Sequence, residues 1–227
     1  MFEKITLPTI VIGDIHGLTY WKEVVNKNPC CRYIFLGDYL DPYEDIDGKQ
    51  LIHNLKEIIQ LKKDHYEDVI LLLGNHDLPY FCQDIKWECS RFDRSISKEI
   101  LPLFVENLHL FSYAFQDDKR IYTHAGISQP WFLNDFKGNV NKNIAEQLNN
   151  PLPEQKQALY RCGEERGGDW NKIGGIFWAD INELNDPLQG YEQFVGHNRV
   201  DNIREHINNG GQITFCDCLY NKKYLKI

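Results

Sequence analysis

The sequence lacks an apolar run long enough to cross a membrane, and no hydrophobic leader follows Met1. It also lacks a basic excess, because 25 lysines and arginines stand against 33 aspartates and glutamates, a formal net charge of -8. Nucleic-acid-binding proteins usually carry a basic surface, so this balance argues against that class of partner. It leaves phosphate chemistry open, because bound divalent cations reverse the local field. We expect a cytoplasmic protein with no membrane partner.

Cysteine pairs at zinc-site spacing are missing as well. The seven cysteines are an odd number, and neither Cys30-Cys31 nor Cys216-Asp217-Cys218 has the two-residue gap of a zinc knuckle. We expect reduced thiols, with Cys216 and Cys218 packed on one face of a strand. No internal repeat or low-complexity linker divides the 227 residues, which predicts a single domain over residues 1–227.

Strand-like and helix-like patterns alternate in the first half of the chain. Apolar runs at residues 9–12, 33–36 and 69–73 predict three strands. Residues 19–27 and 50–63 predict helices between them. The β-α-β-α-β order is typical of a parallel sheet with crossover helices, and it predicts an α/β fold.

The second half carries different patterns. Residues 112–115 and 120–123 flank a polar turn and predict a hairpin. Runs at 193–195, 212–216 and 223–225 predict strands of a second sheet. Residues 79–110 look mainly helical, and we expect a lid there over one edge of the sheet. Residues 134–172 are polar and predict loops and helices.

Each of the first three predicted strands ends at a glycine that is followed by side chains able to bind metal. The segments are Gly13-Asp14-Ile15-His16-Gly17, Gly37-Asp38-Tyr39-Leu40-Asp41 and Gly74-Asn75-His76-Asp77. Because the carboxyl ends of parallel strands share one edge of a sheet, we expect these side chains to meet there.

Two later histidines repeat the pattern, in His124-Ala125-Gly126 and Gly196-His197, each at the end of an apolar strand. Any one of the five segments fits an ordinary turn, a helix cap or a packed histidine. Their recurrence after five strands predicts a metal site instead. Mixed imidazole and carboxylate ligands suit Mn²⁺, Fe or Zn²⁺.

The five segments together resemble those of the calcineurin-like metallophosphoesterases. The resemblance is stronger to their phosphoprotein-phosphatase branch, which includes small bacterial and phage Ser/Thr phosphatases and diadenosine tetraphosphate hydrolases. Residues 176–180, Ile-Phe-Trp-Ala-Asp, are similar to the Leu-Leu-Trp-Ser-Asp stretch of that branch. Many distant relatives end in Gly-His-x-His, whereas Arg199 stands at the last position here, as in the phosphatase branch.

The resemblance implies two facing mixed β-sheets flanked by helices, a four-layer arrangement with the metal site at the carboxyl ends of the strands. It implies two metal ions that share Asp38. The first would be held by Asp14, His16 and Asp38, and the second by Asp38, Asn75, His124 and His197. A metal-bridging hydroxide would attack phosphorus in line, because two cations lower the pKa of the bridging water.

The same resemblance implies that His76 and Asp41 carry out proton transfer. His76 matches the family histidine that protonates the leaving oxygen, and Asp41 matches its carboxylate partner. The pairing makes physical sense, since a carboxylate raises the pKa of an imidazole and orients its ring.

One feature departs from the Ser/Thr phosphatases, which usually continue Gly-Asp-x-x-Asp with Arg-Gly. That arginine grips the substrate phosphate, but Pro42-Tyr43 stands here. We favour Arg199 as the replacement because its neighbour His197 belongs to the site. The other candidates are Arg91, Arg94, Arg161 and Arg166.

Several functions therefore stay open. We expect a phosphatase acting on phosphomonoesters, with a phosphoprotein as substrate. A nucleotide is the alternative substrate, in a nucleoside polyphosphate hydrolase of the diadenosine tetraphosphate type. A phosphodiesterase, or a metal-binding module without catalysis, follows after these.

Overall fold

Ten strands build two five-stranded sheets in the computed structural model, which describes residues 7–85 and 89–227. The strands are β1 (Thr9–Ile12), β2 (Arg32–Phe35), β3 (Val69–Leu72), β4 (Phe111–Ser112), β5 (Ala114–Asp117), β6 (Arg120–Thr123), β7 (Glu192–Val195), β8 (Arg204–Asn208), β9 (Gly211–Phe215) and β10 (Leu225–Lys226). The predicted α/β fold with two mixed sheets is confirmed.

The first sheet has the order β10-β1-β2-β3-β4, in which β1 to β4 are parallel and β10 is antiparallel to β1. The crossover connections contain helix α1 (Trp21–Lys27) and helix α2 (Gly48–Asp64), as predicted. The placement predicted for residues 223–225 in the second sheet is wrong. The chain returns to the first sheet, where Leu225 pairs with Val11 and closes the free edge of β1.

The second sheet has the order β5-β6-β7-β9-β8, with β6, β7 and β9 parallel and an antiparallel strand at each edge. The predicted hairpin forms between β5 and β6, although Ser112 belongs to β4 of the first sheet. Strand β8 was not predicted, since its residues are mostly exposed and Ile207 faces solvent.

Side chains that alternate along β1 to β3 explain why the sheets face each other. Val11, Ile34 and Leu72 pack against Tyr122 and Phe194 of the second sheet. The alternate residues of β1 to β3 point away from the second sheet. They belong to the large core cluster, which also contains the buried face of α2. Because successive residues of a strand point to opposite faces, both faces of the first sheet are covered.

The remaining helices are short. Helix α3 (Ser97–Asn107) buries Ile100 and Phe104 in the core. Helix α4 (Ile144–Asn149) and helix α5 (Lys156–Leu159) lie in the polar segment where loops and helices were expected. The lid predicted at 79–110 includes residues 86–88, which lie outside the described residues, and it stays a prediction. No helix in the described ranges is both long and apolar enough to cross a membrane.

Candidate metal centre

The loops after β1, β2, β3, β6 and β7 meet at one place between the two sheets. They bring together all six predicted metal ligands: Asp14, His16, Asp38, Asn75, His124 and His197. Two groups of these side chains offer ligand atoms within 4.8 Å of one another, and Asp38 belongs to both. One group adds Asp14 and His16 to Asp38, and the other adds His124 and His197.

Asp38 stands between the two groups. Its Oδ1 accepts a hydrogen bond of 2.8 Å from the backbone N–H of His76. Its Oδ2 lies 3.6 Å from Nε2 of His16 and 3.5 Å from Nε2 of His124. One carboxylate oxygen therefore faces a histidine of each group, as a bridging ligand requires.

Asp14 joins the two sheets at the site. Its two carboxylate oxygens accept hydrogen bonds of 3.0 and 3.1 Å from the backbone N–H of His197, 183 residues away. A Cβ atom at Gly196 would overlap Oδ1 of Asp14, so a glycine is needed for this close approach.

Hydrogen bonds to backbone carbonyls orient two of the histidine rings. Nδ1 of His16 donates to the oxygen of Leu40 at 2.7 Å, and Nδ1 of His124 donates to the oxygen of Leu36 at 2.8 Å. With the proton on Nδ1, the Nε2 lone pair of each ring is left for a ligand.

The second group contains acceptor atoms that face each other. Nε2 of His124 lies 2.8 Å and Nδ1 of His197 lies 2.9 Å from the same oxygen, Oδ1 of Asn75. The Asn75 amide is held in this orientation because its Nδ2 donates to Sγ of Cys89 at 3.5 Å. Since the His124 Nε2 carries a lone pair, its contact with Oδ1 is repulsive unless a cation binds both atoms. This arrangement fits a divalent cation.

The histidine pKa values also suit metal binding. Burial is the largest cause that lowers the pKa of His16 and of His124 to about 3. Burial, followed by the neighbouring His124, lowers the pKa of His197 well below its usual value. The rings are therefore neutral at physiological pH, which is the form that binds metal.

The pKa values of the carboxyl groups are raised, whereas those of the histidines are lowered. Burial first, and then the charge of Asp217, raises the pKa of Asp14 well above its usual value. Burial and the charge of Asp77 do the same for the pKa of Asp38. Such crowded buried carboxylates are costly without bound cations and favourable with them.

His76 and Asp41 form a buried pair beside the two groups. Nδ1 of His76 lies 2.7 Å from Oδ2 of Asp41, and the Tyr80 hydroxyl donates to Oδ1 of Asp41 at 2.6 Å. His76 lines a cavity of about 340 Å³ together with Asp14, His16, Asp38, Asn75 and His197. With Nδ1 bonded to Asp41, Nε2 is the ring nitrogen left for proton transfer.

Two further buried carboxylates, Asp77 and Asp217, lie at the site and were not predicted from the sequence to have a role there. Asp77 is fully buried and accepts backbone hydrogen bonds of 2.8 to 2.9 Å from Asp38, Tyr39 and Gly74, which locks the loops after β2 and β3 together. Asp217 is buried beside Asp14 and follows β9 much as Asp14 follows β1. That position after a strand was a signal that could have identified it.

The candidate phosphate-binding arginines separate into groups. Arg91 and Arg166 line the 340 Å³ cavity with the predicted ligands. Arg199 lies next to it, in a small pocket with Asp14, His16 and Asp217. Arg161 lines a neighbouring cavity of about 630 Å³, which shares Arg166 with the first.

Comparison with known proteins identifies the family of the chain. The family model described as calcineurin-like phosphoesterase matches residues 7–213. A catalytic subunit of protein phosphatase 2A from Dictyostelium discoideum is 29% identical over 133 residues, which are 56% of this chain and 40% of that protein.

Solved structures share the fold. A cold-active protein-tyrosine phosphatase from a psychrophilic Shewanella species superposes with a TM-score of 0.56 at 15% identity, over 95% of this chain and 72% of that one. A Saccharomyces cerevisiae serine/threonine phosphatase with similarity to human phosphatase PP5 gives 0.57 at 18% identity, over 94% and 68%. With a match over residues 7–213 and the fold described above, the chain belongs to the calcineurin-like phosphoesterase family.

Proposed function

We propose that the protein hydrolyses phosphoesters at a centre of two divalent cations that share Asp38. The ligands would be Asp14, His16 and Asp38 for the first cation, and Asp38, Asn75, His124 and His197 for the second. The observation that carries the proposal is the close approach of two acceptor atoms, His124 Nε2 and Asn75 Oδ1, beside a carboxylate common to both groups. We propose Mn²⁺ as the metal, since it accepts imidazole, amide and carboxylate ligands together.

The chemistry needs little beyond these residues. Bound cations would supply hydroxide near neutral pH by lowering the pKa of water, and they would neutralise phosphoryl oxygens. His76 would protonate the leaving oxygen. Asp41 holds the His76 ring through Nδ1, which leaves Nε2 for the proton transfer, while Tyr80 keeps Asp41 in place.

For the substrate we propose a phosphomonoester, as in Ser/Thr phosphatases. The aligned Dictyostelium phosphatase supports this choice. A nucleoside polyphosphate is the second candidate, and the neighbouring 630 Å³ cavity favours it. The partly exposed Trp178 lines both cavities, so a nucleobase bound in the larger one would lie beside the predicted metal ligands.

A panel of substrates tests the proposal. The protein is loaded with Mn²⁺, binding is verified by elemental analysis, and turnover is measured on four substrates: a phosphopeptide, p-nitrophenyl phosphate, bis-p-nitrophenyl phosphate and a dinucleoside tetraphosphate. We expect turnover of the two monoesters to exceed that of the diester by at least about tenfold. Preference for the tetraphosphate would favour the second candidate, and no turnover with metal bound would refute hydrolysis.

A further inference from the structure

Four side chains from separate loops form an alternating stack of guanidinium groups and phenol rings beside the metal centre. The Arg91 guanidinium carbon lies 3.8 Å from the Tyr43 ring centre. That of Arg199 lies 4.5 Å from the Tyr43 ring and 3.7 Å from the Tyr220 ring. Tyr43 also meets the His16 ring edge-on at 5.0 Å. The stack therefore links two arginines to a candidate metal ligand.

Arg91 is the member of this stack that lines the cavity of the metal ligands. Its Nε donates to the backbone oxygen of Asp41 at 3.1 Å, and its Nη1 makes a long contact of 3.3 Å with Ser90. No carboxylate in the described ranges forms an ion pair with it. Arg166, by contrast, is neutralised by Asp180 at 2.7 Å. Arg91 is thus held at the cavity without an ion-pair partner among the described residues.

The backbone of Arg91 adopts a left-handed conformation. Its φ of 66° lies in the left-handed region, which residues other than glycine adopt at a cost. His16, Asp38, Asp41 and His197 share this feature, with φ between 40° and 61°. Six further residues that do not line the cavity, among them Lys137 and Lys222, have a similar φ, so the role of Arg91 rests on its side-chain contacts and not on this conformation.

The anchoring point of Arg91 explains how it can replace an arginine after Asp41. The carbonyl that accepts its Nε hydrogen bond belongs to Asp41, the residue directly before Pro42. Tyr43 then supplies the ring on which the guanidinium group of Arg91 rests. A residue far along the chain is thereby brought next to the position that Pro42 occupies.

We propose that Arg91 binds the phosphoryl group of the substrate and that Tyr43, held between Arg91 and Arg199, positions it. Arg199 contacts the same ring but lies in the small pocket that contains Asp217, outside the cavity of the predicted metal ligands. It therefore supports Tyr43, and Arg91 makes the contact with the phosphoryl oxygens. This assignment rests on the proposed phosphoesterase function.

Binding of inorganic phosphate to the Mn²⁺-loaded full chain tests the assignment without relying on turnover. Titration calorimetry is performed on the wild type, Arg91→Ala, Arg91→Lys, Tyr43→Leu and Tyr43→Phe, with metal content measured for each. Tyr66→Leu is the matched control, because Tyr66 is exposed and stacks on Lys62 away from the site.

We expect Arg91→Ala to weaken phosphate binding about tenfold to a hundredfold with unchanged metal content, as for loss of charge-assisted hydrogen bonds. Arg91→Lys recovers only part of the affinity because it lacks the planar fork. Tyr43→Leu weakens binding several-fold, whereas Tyr43→Phe and Tyr66→Leu behave as the wild type.

Wild-type phosphate affinity in Arg91→Ala would overturn the assignment of Arg91. Equal losses in Tyr43→Phe and Tyr43→Leu would overturn the stacking role, since phenylalanine keeps the ring. Loss of metal in Arg91→Ala would mean that the arginine supports the centre instead of the phosphate. Phosphate binding with normal Arg91 dependence but no hydrolysis would leave this inference standing and refute the proposed function.

Discussion

At the scale of single residues, His76 is distinguished from the other histidines of the site. The rings of His16, His124 and His197 each face another candidate ligand, whereas His76 bonds to a carboxylate outside both metal groups. Asp41 in turn is bonded to Tyr80, so the pair forms a fixed unit. This arrangement supports the proposal that His76 moves a proton at Nε2 and does not hold a cation.

Replacing His76 with alanine therefore separates catalysis from metal binding. We expect kcat on p-nitrophenyl phosphate to fall about a hundredfold to ten-thousandfold, the range for loss of a general acid, while the metal content stays unchanged. His53→Ala serves as the control, because His53 is an exposed histidine on α2. Loss of metal with little change in kcat would contradict the assigned role.

The six ligand candidates could be found from the sequence because each follows an apolar strand and lies beside or near glycine. The role of Asp77 could not, because it depends on three backbone donors from two loops. For the same reason, the sequence could not distinguish Arg91 from the other four candidate arginines. Its distinguishing contacts, with Asp41 and Tyr43, cross about 50 positions of sequence.

At the scale of elements, the parallel strands bring several acidic side chains together at their carboxyl ends. The loops after β1, β2, β3 and β9 place Asp14, Asp38, Asp77 and Asp217 in one buried region. Burial raises the pKa of Asp77 to about 7 and that of Asp217 to about 6, and it raises the pKa of Asp14 and Asp38 well above the usual value. The parallel arrangement that builds the site therefore opposes folding unless cations are bound.

The metal-free protein should consequently lose stability as pH rises above 6.5. A carboxyl group with a raised folded pKa stabilises the fold at low pH, and this contribution disappears as pH rises through the folded value. The histidines with lowered pKa values do not change the stability in this pH range. They destabilise the fold only as pH falls below 6.5, the usual pKa of histidine. The expected slope is up to about 1.4 kcal/mol per pH unit for each carboxyl still protonated.

Urea unfolding from pH 6.5 to about 8.5 measures this effect, with chelator in one series and Mn²⁺ in the other. We expect the free energy of unfolding to fall with pH in chelator. With Mn²⁺ it should stay level or rise, because bound cations keep the carboxylates ionised. Equal slopes in the two series would show that the buried carboxylates do not interact with metal.

Elements with strong apolar patterns were predicted well, and the weak ones were not. The parallel strands β1 to β3 are buried on both faces, so their sequences are continuous apolar runs. Strand β8 is an exposed edge and carries no such signal. The sheet to which β10 belongs depends on pairing with β1, more than 200 positions away, which no local pattern encodes.

At the scale of the whole molecule, the site exists only because two sheets face each other. The first sheet supplies Asp14, His16, Asp38 and Asn75, and the second supplies His124 and His197. The facing apolar residues of the two sheets bury the interface behind these ligands. The sequence motifs indicated the members of the site, and the packing of the sheets determines their distances.

An anomalous-difference map from a crystal grown with Mn²⁺ tests this account most directly, because it locates the bound cations independently of any substrate. We predict two peaks on either side of Asp38. One should lie beside Asp14 and His16, and the other beside Asn75, His124 and His197. A single peak, or peaks that do not contact Asp38, would contradict a centre of two cations sharing that carboxylate.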